Sequence, residues 1–526
     1  EDLHKAFADI FQQINSATDP DLTSTATSGS NSSRNNVGKF TGAYRPTEAW
    51  KGYVTAETVK TDGSTVPNPG WSGKNTADKL DALNSTQLSN RLVLSWSDKW
   101  ASTAYQGGVP FQWASDESKL STSQKPWLQK NIGATAVVDE GALKCEQRLN
   151  YIRGDRSLEG SELGGYTTAL PFRERKSRQG DIINSVVWYT GAPSGNYALD
   201  GYAAYLRCNK TRPAMIYVGG NDGMLHGFQV TDGAEKIAYV PQGVIPSLSR
   251  LTDPLYNNKH RFFVDGSAMT GDVDTSSSNI DPNDPCNTND WRTMLVGTLG
   301  AGGKGYFVLD VTNPTAAAIP GGAPPFEASK APQLVKLDRT RSVETGTTPD
   351  CTLSSMSAAE QAACINTVDE DKDIGHITAR PVQADTDPMR TTQITRMNNN
   401  RWAVVMGNGY NSTNQRPVLL IQYLDGAMEL KRIPVTNEAA GTGKALDNGL
   451  VAPRLVDING DGTPDVAYAG DNLGNMWKFD LTNPNASNWG VAFGGAPLFT
   501  AKGPASLTST SRTKVQPITA APIVSA

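Results

Sequence analysis

The feature that most constrains the fold of this chain is a hairpin pattern that recurs four times after about residue 180. Each copy has an apolar strand, a glycine, a polar turn and a second strand with alternating aromatic and aliphatic residues. The copies are MIYVGGNDGMLHGFQV (215–230), MLVGTLGAGGKGYFVLDV (294–311), WAVVMGNGYNSTNQRPVLLIQYL (402–424) and DVAYAGDNLGNMWKFDL (465–481). Small antiparallel units must stack to bury their faces, so the repeat predicts an all-β fold.

A lead-in strand is predicted before each hairpin, and a fifth lead-in has no hairpin after it. The five segments are 182–191, 262–273, 377–387, 451–459 and 518–526. Four-stranded units of this kind are typical of β-propeller blades. Long insertions at 274–290 and 339–373 make the spacing irregular, unlike that of WD40 or kelch propellers. We therefore predict a modified β-propeller that is incomplete in this chain, with further sequence downstream in the natural protein.

The chain divides into three predicted segments. Residues 1–38 are predicted to form a short amphipathic helix up to residue 15, followed by a flexible linker of low apolar content. Residues 39–150 form a β-rich lead-in region, and residues 151–526 form the propeller. Within the lead-in region we predict strands at 39–44 and 51–59 and short helices at 76–83 and 123–130.

Charge and missing motifs exclude several classes of function. The formal net charge is −5 and no basic stripe is visible, so nothing supports nucleic-acid binding. No apolar run approaches the roughly 20 residues of a membrane-spanning helix. Four histidines (His4, His226, His260 and His376) lack metal-ligand spacing, and no GxSxG elbow is present. We therefore predict that the chain is not an enzyme, and that His226 is a packed or paired strand residue and not a catalytic one.

Two further patterns have a structural interpretation. The glycine-rich segment 300–305 matches GxGxxG, but a strand follows it where a phosphate site needs a helix, so it predicts a hairpin turn. The tryptophans of the repeat region are interpreted as packing residues between blades: Trp188, Trp291, Trp402, Trp477 and Trp489.

The five cysteines bear on the cellular compartment. None lies in a CxxC pair, so a zinc ribbon is not expected. Cys351 and Cys364 are close in sequence and are predicted to form a local disulfide if the protein is exported. Cys145 with Cys208 is a second candidate pair, and the odd cysteine is free or pairs outside this chain. Buried thiols in a cytosolic protein remain the alternative. The chain lacks an initiating Met and a signal peptide, so we interpret it as a mature fragment.

The sharpest chemical motif is DINGDGTPD at residues 457–465, which matches the first nine positions of a calcium-binding loop. Gly462 stands at position 6 and allows the sharp turn. The predicted oxygen ligands of one Ca²⁺ ion are Asp457, Asn459, Asp461, the carbonyl of Thr463, and Asp465.

Electrostatics favours an ion in this loop. Three carboxylates so close together would repel one another without a cation, and hard oxygen ligands favour Ca²⁺ over Zn²⁺ or Mg²⁺. Tyr468 stands where an EF-hand has its bidentate Glu, and strands flank the loop, so this is an EF-hand-like loop within a blade. An Asx-rich turn without an ion is the alternative. The acidic segment 369–373 lacks the position-6 glycine and is interpreted as a solvated loop without metal.

Several long segments occur in an order that resembles the C-terminal β-propeller domain of PilY/PilC-type adhesins of type IV pilus tips. The resemblance is strongest over residues 150–526 and weaker over 40–150. The segments are YIRGDRSLEG (151–160), GDIINSVVWY (180–189), YVGGNDGMLHGF (217–228), AYVPQGVI (238–245), FFVDGSAMTGDV (262–273), WRTMLVGTLGAGGKGYFVLDVTNP (291–314) and DINGDGTPDVAYAGDNLGNMWKFDL (457–481).

The resemblance implies a modified, seven-bladed propeller that is exported to the cell surface, at the pilus tip or outer membrane. It implies minor pilins of the tip as partners and a further N-terminal domain. In the family the calcium loop is linked to pilus extension and retraction, so the implied functions are pilus biogenesis, attachment to host cells and twitching motility, with a part in virulence.

The tripeptide Arg153-Gly154-Asp155 is an RGD motif. One interpretation is that it binds a host integrin, since a family relative is thought to use an RGD in this way. The other is that RGDRS belongs to the structural pattern of the family, where Arg153 and Asp155 pair with neighbours.

Two rival functions remain open at the level of sequence. A quinoprotein dehydrogenase-like propeller also has Gly-rich hairpins and some such enzymes bind calcium, but this chain lacks an adjacent Cys–Cys pair. A purely structural propeller that displays partner-binding loops is the third interpretation.

Overall fold

The computed structural model describes residues 22–28, 37–99, 106–132, 137–275, 286, 290–319, 321–344, 348–435, 447–506 and 510–524. It confirms a mostly β architecture, in which five sheets of four to six strands dominate the described residues. The helix predicted over residues 1–15 lies outside them. No helix in the described ranges is both long and apolar enough to cross a bilayer.

Among the described residues up to Val240, the strands form two sheets and one small hairpin. Sheet 1 is an antiparallel meander: β1 (Leu22–Ser28), β2 (Val37–Arg45), β3 (Lys51–Val59) and β4 (Thr65–Pro67). Next come β5 (Val93–Asp98), β6 (Gln106–Pro110) and the separate hairpin of β7 (Lys130–Ile132) and β8 (Val137–Asp139). Sheet 2 joins β5 and β6 to β9 (Trp188–Thr190), β10 (Met215–Gly220), β11 (Met224–Gln229) and β12 (Glu235–Val240). Because β5 pairs in parallel with β12, the region of residues 39–150 adds β5 and β6 to the sheet that contains the first repeat hairpin.

Each of the remaining three sheets is built around one repeat hairpin. Sheet 3 contains β13 (Ala268–Asp274), β14 (Trp291–Thr298), β15 (Tyr306–Asp310) and β16 (Val335–Asp338). The hairpin of β17 (Gln383–Ala384) and β18 (Asp387–Thr391) precedes sheet 4, which contains β19 (Ile394–Arg396), β20 (Trp402–Gly407), β21 (Val418–Tyr423) and β22 (Leu430–Pro434). Sheet 5 contains β23 (Arg454–Val456), β24 (Val466–Gly470), β25 (Asn475–Asp480), β26 (Gly490–Val491) and β27 (Phe499–Thr500), and β28 (Lys502–Pro504) with β29 (Arg512–Val515) forms a last hairpin.

Short α-helices connect or cover the sheets. Within the described residues they are Thr76–Asp81, Ser85–Ser89, Lys125–Gln129, Ala142–Ile152, Tyr202–Cys208, Ala331–Leu334 and Ala358–Asp371. The helices predicted at 76–83 and 123–130 are therefore confirmed, as are the strands predicted at 39–44 and 51–59. The predicted division of the chain at residues 38 and 150 stays a prediction.

Alternate residues of each central strand face opposite neighbouring sheets. In β21, Leu420 belongs to the core shared with sheet 3, whereas Leu419 and Ile421 belong to the core shared with sheet 5. In β14, Leu295 faces sheet 2 and Val296 faces sheet 4. All five side chains are fully buried. The two-residue period of a strand therefore joins the five sheets face to face in chain order, as in a propeller.

The four predicted hairpins are confirmed, and their glycines allow close joints between blades. Gly219 is the penultimate residue of β10, and a Cβ there would lie 2.2 Å from the Val264 carbonyl oxygen of the next lead-in. Gly407 ends β20 and stands in the same relation to Val451, at 2.0 Å. Only glycine permits such an approach between two backbones. Residues of four predicted lead-ins, among them Met269, Ile377, Val451 and Ala520, line a cavity of about 790 Å³.

The third lead-in prediction is wrong in part. The sequence pattern predicts a lead-in at 377–387, but the strand that pairs with β20 is Ile394–Arg396. Residues 383–391 instead close into the small hairpin of β17 and β18. The local hairpin pairs these residues with one another and not with β20.

The disulfides match the sequence prediction at one of two pairs. Cys351 is bonded to Cys364, as predicted. Cys208 is bonded to Cys286 and not to Cys145, which is free and fully buried. The second pair joins positions 78 residues apart, so spacing alone gave no signal for it. Burial raises the pKa of the Cys145 thiol to about 12, which makes it unreactive at neutral pH.

The acidic segment 369–373 is not the solvated loop that its composition predicts. Asp371 ends the helix Ala358–Asp371 and pairs with Arg341. Asp373 is fully buried, and its carboxylate forms ion pairs of 2.8 Å with Arg416 and with Arg432. Burial opposes the charge of Asp373, but these partners outweigh it and lower the pKa of its carboxyl. Ion pairs therefore hold the helix against sheet 4.

A buried ion network stabilises sheet 2, and it confirms His226 as a paired strand residue. His226 lies between Glu235 (Nδ1–Oε1 2.7 Å) and Asp222 (Nε2–Oδ2 3.0 Å), and Arg91 pairs with Glu235. Burial opposes a charge on the ring, but the two carboxylates outweigh it and raise the pKa of His226 to about 9. Burial likewise opposes the charge of Glu235, yet Arg91 and His226 lower its pKa to about 2.

Truncation of β21 should show that both faces of a central sheet are buried. Leu419→Ala and Leu420→Ala should each lower the free energy of unfolding by about 2–5 kcal/mol, because each leaves a cavity in a different interface. Leu498→Ala is the control, since that side chain is 52% exposed and its loss should cost little. Urea unfolding of the three variants measures the effect, and equal stability of all three would contradict the stacked arrangement.

The His226 network should make stability depend on pH. The pKa of His226 is higher in the folded chain, so its contribution is complete below about pH 6.5 and is lost as pH rises through about 9. The loss is on the order of 3 kcal/mol over this window. His226→Gln should be less stable at pH 6 but should lose less stability between pH 6 and 9.5. Thermal unfolding at the two pH values tests this, and parallel pH dependences would count against a charged His226.

Candidate metal site

The predicted calcium loop connects two strands of sheet 5. Asp457 follows β23 directly and Asp465 immediately precedes β24. The Asp465 amide donates to the Val456 carbonyl (2.9 Å) and the Leu481 amide donates to the Asp465 carbonyl (2.9 Å). The strand ladder therefore fixes both ends of the loop.

The carboxylates of the loop turn toward their own backbone. Asp457 accepts from the amides of Gly460 and Gly462, both at 2.7 Å. Asp465, which is 5% exposed, accepts from the amides of Ile458 (2.8 Å) and Asn459 (3.3 Å). The chain thus coils around the side chains at the predicted ligand positions, as a calcium loop requires.

Asp461 and Asn459 lie beside each other at the exposed tip. The Asn459 side-chain amide donates to Asp461 Oδ2 (3.0 Å), and the Asp461 amide donates to Asn459 Oδ1 (2.9 Å). Thr463 donates to Asp461 Oδ1 with its hydroxyl (2.6 Å) and its amide (2.9 Å). The hydroxyl bond is the largest cause of a lowered pKa at Asp461, so this carboxyl is ionised at neutral pH.

Two glycines make the coil possible. Gly460 and Gly462 have φ angles of 79° and 86°, in the left-handed region that side chains disfavour. The sequence position of Gly462 predicts this turn, and the structure confirms it.

The donor set fits Ca²⁺. All the predicted ligands supply oxygen, and each Asp457 oxygen that accepts one amide keeps a free lone pair. Within the described residues no three His, Cys, Asp or Glu side chains are gathered as a metal centre, and the loop carboxylates bond to loop amides. To hold a cation, these carboxylates would have to turn further toward one another.

A residue of the neighbouring sheet also holds the loop. Asn398, in the turn between β19 and β20, bonds to Thr463 and to the backbone carbonyl of Pro464 (3.0 Å). Sequence reasoning missed Asn398 because 65 residues separate it from Thr463 and no local pattern links them.

The RGD tripeptide is built into the structure rather than displayed. Arg153 is 7% exposed and donates to backbone carbonyls, among them those of Phe111 (3.0 Å) and Arg91 (3.1 Å). Asp155 is exposed, and its carboxylate accepts from the Ser157 amide (2.8 Å). Because integrin recognition needs an accessible guanidinium, the burial of Arg153 argues against that interpretation.

The remaining sequence motifs have structural roles. The segment 300–305 forms the turn between β14 and β15, with positive φ at Gly300 and Gly305, as predicted. The five tryptophans predicted to pack between blades are all buried: Trp188, Trp291, Trp402, Trp477 and Trp489.

Comparison with known proteins gives concordant results. A family profile described as the PilY1 beta-propeller domain matches residues 179–327 and 361–526. The chain is 31% identical over 535 residues to the type IV pilus biogenesis factor PilY1 of Pseudomonas aeruginosa strain PAK, covering 95% of this chain and 37% of that protein. It is 32% identical over 394 residues to a type IV pilus biogenesis factor PilY1 homolog of Xylella fastidiosa strain Temecula1, covering 70% of this chain and 22% of that protein.

One solved structure is also similar. It is the crystal structure of the Pseudomonas aeruginosa PilY1 C-terminal domain, with 31% sequence identity and a TM-score of 0.42, covering 64% of this chain and 55% of that chain. The chain thus spans less than half the length of the curated relatives named above. The profile matches more than half of the chain, and the similarity predicted from its ordered segments is confirmed. This chain belongs to the PilY1 β-propeller family.

Proposed function

We propose that this chain is the calcium-binding propeller of a type IV pilus biogenesis factor, which acts as an adhesin at the pilus tip and regulates extension against retraction. The observation that carries the proposal is the loop at 457–465, which lies within the second stretch matched by the family profile. Relatives matched over 95% and 70% of this chain are named pilus biogenesis factors. Surface attachment and twitching motility are the activities we assign to the intact protein.

Five residues would hold the ion: Asp457, Asn459, Asp461, Thr463 and Asp465. A bound Ca²⁺ would neutralise the three carboxylates and replace part of their bonding to loop amides. The ends of the loop are fixed at β23 and β24, so the backbone change would begin in the segment between them. The ion would therefore stiffen one corner of sheet 5.

Export and pilus partners complete the proposal. Two disulfides, Cys208–Cys286 and Cys351–Cys364, support an oxidising compartment such as the cell surface. We propose minor pilins of the tip as partners. Attachment to a host receptor is proposed without a role for the RGD tripeptide, because Arg153 is buried.

Calorimetric titration of the purified 526-residue chain with Ca²⁺ should show one site, and Asp461→Ala should abolish the heat of binding. Asp480→Ala is a matched control, because Asp480 accepts the same pair of bonds from Thr482 outside the loop. It should bind Ca²⁺ like the unchanged chain. Heat that is the same for all three proteins would show that the loop holds no ion.

The regulatory part of the proposal needs the intact protein in its own bacterium. Cells with Asp461→Ala should differ from the parent in pilus retraction and twitching-zone diameter, while cells with Asp480→Ala should match the parent. Immunoblots of the surface fraction must show equal amounts of the three proteins. If Asp461→Ala binds no Ca²⁺ yet retracts pili normally, the ion is only structural.

A further inference from the structure

We infer that Asn398 is a positioning residue for the calcium loop and couples its occupancy to the contact between sheets 4 and 5. This inference rests on the proposed calcium site and extends it. Asn398 belongs to the turn between β19 and β20 of sheet 4, whereas the loop connects β23 and β24 of sheet 5. A single side chain of one blade therefore reaches the candidate metal site of the next.

Asn398 uses both ends of its side-chain amide across this boundary. Its Oδ1 accepts from the Thr463 hydroxyl (2.9 Å), and its Nδ2 donates to the carbonyls of Pro464 (3.0 Å) and Leu481 (2.9 Å). An asparagine side chain has two donor hydrogens and one acceptor oxygen, so Asn398 spends both donors on sheet 5. Asn398 therefore bonds to positions 7 and 8 of the loop, Thr463 and Pro464, and to Leu481, which follows β25.

The Thr463 hydroxyl provides a route for coupling. Its single hydrogen lies within reach of two acceptors, Asp461 Oδ1 at 2.6 Å and Asn398 Oδ1 at 2.9 Å, and it can serve only one at a time. Asp461 Oδ1 also accepts from the Thr463 amide, so both of its lone pairs are in use. A cation that takes this oxygen displaces the hydroxyl hydrogen, which then bonds to Asn398. Cation binding thereby strengthens the bond between the two sheets.

The neighbouring residue Asn399 shows how specific this arrangement is. Its Nδ2 donates to the Tyr423 hydroxyl (2.8 Å) and its Oδ1 accepts from the Arg401 amide (3.2 Å). These partners all belong to sheet 4 or its turn. Asn399 has the same chemistry and the same turn as Asn398 but no bond to the loop, which makes it the matched control.

The test uses Ca²⁺ titration of the full chain by calorimetry, together with amide hydrogen exchange of residues 397–401. Removal of an outer partner of a metal ligand typically weakens metal affinity about 10- to 100-fold, so Asn398→Ala should raise the Kd at least about tenfold. Asn399→Ala should leave the Kd within about twofold of the unchanged chain. Calcium should slow exchange at 397–401 in the unchanged chain and in Asn399→Ala, but not in Asn398→Ala or Asp461→Ala.

Thr463→Val provides a second variant if Asn398→Ala does not fold. It removes the hydroxyl and keeps the backbone carbonyl that is the predicted ligand, so it should also abolish the calcium-dependent protection at 397–401. If the unchanged chain binds Ca²⁺ with the same Kd as Asn398→Ala and Thr463→Val, the coupling is refuted while the calcium site stands. If the unchanged chain binds no Ca²⁺, the site and the coupling fail together.

Discussion

The structure depends on one constraint, which is that a four-stranded sheet with two apolar faces must find a partner on each side. Val296 and Leu420 lie in the core between sheets 3 and 4. Their chain neighbours Leu295 and Leu419 lie in the cores on the opposite faces of those two sheets. This alternation fixes the register of every central strand, because a slip of one residue would exchange the two faces. The order of the sheets, the position of their hairpin turns and the location of the candidate site all follow from it.

Local features of this fold could be predicted from the sequence, and distant ones could not. The hairpins were predictable because a glycine, a polar turn and an alternating strand lie within about 20 residues. The helix Ala358–Asp371 also carried a signal, since Ser357 and Glu360 form a capping box that marks its start. The Cys208–Cys286 bond, the bonds of Asn398 and the burial of Arg153 had no local signal. Each depends on which sheet lies beside which, and that information is spread over the whole repeat.

The candidate site shows how backbone hydrogen bonds stabilise an acidic loop. Backbone amides of the loop solvate Asp457 and Asp465, which reduces the repulsion that three neighbouring carboxylates would otherwise cause. The sequence motif predicted the turn glycine correctly, because its position is set within nine residues, and the ligand assignment stays a prediction. It could not give the support from sheet 4. Because Asn398 of sheet 4 bonds to the loop, the loop is also a contact between sheets 4 and 5. A small change in the loop can therefore affect both sheets.

The close backbone contacts at glycines between neighbouring sheets have a consequence for how a propeller can evolve. Gly219 and Gly407 each let the backbone of the following lead-in pass at van der Waals limits. Such a contact requires a glycine on one strand and a backbone peptide group on the other, but no particular partner side chain. Two duplicated or exchanged blades can therefore pack without compensating substitutions at this backbone contact. Long insertions elsewhere in the blades leave the contact unchanged.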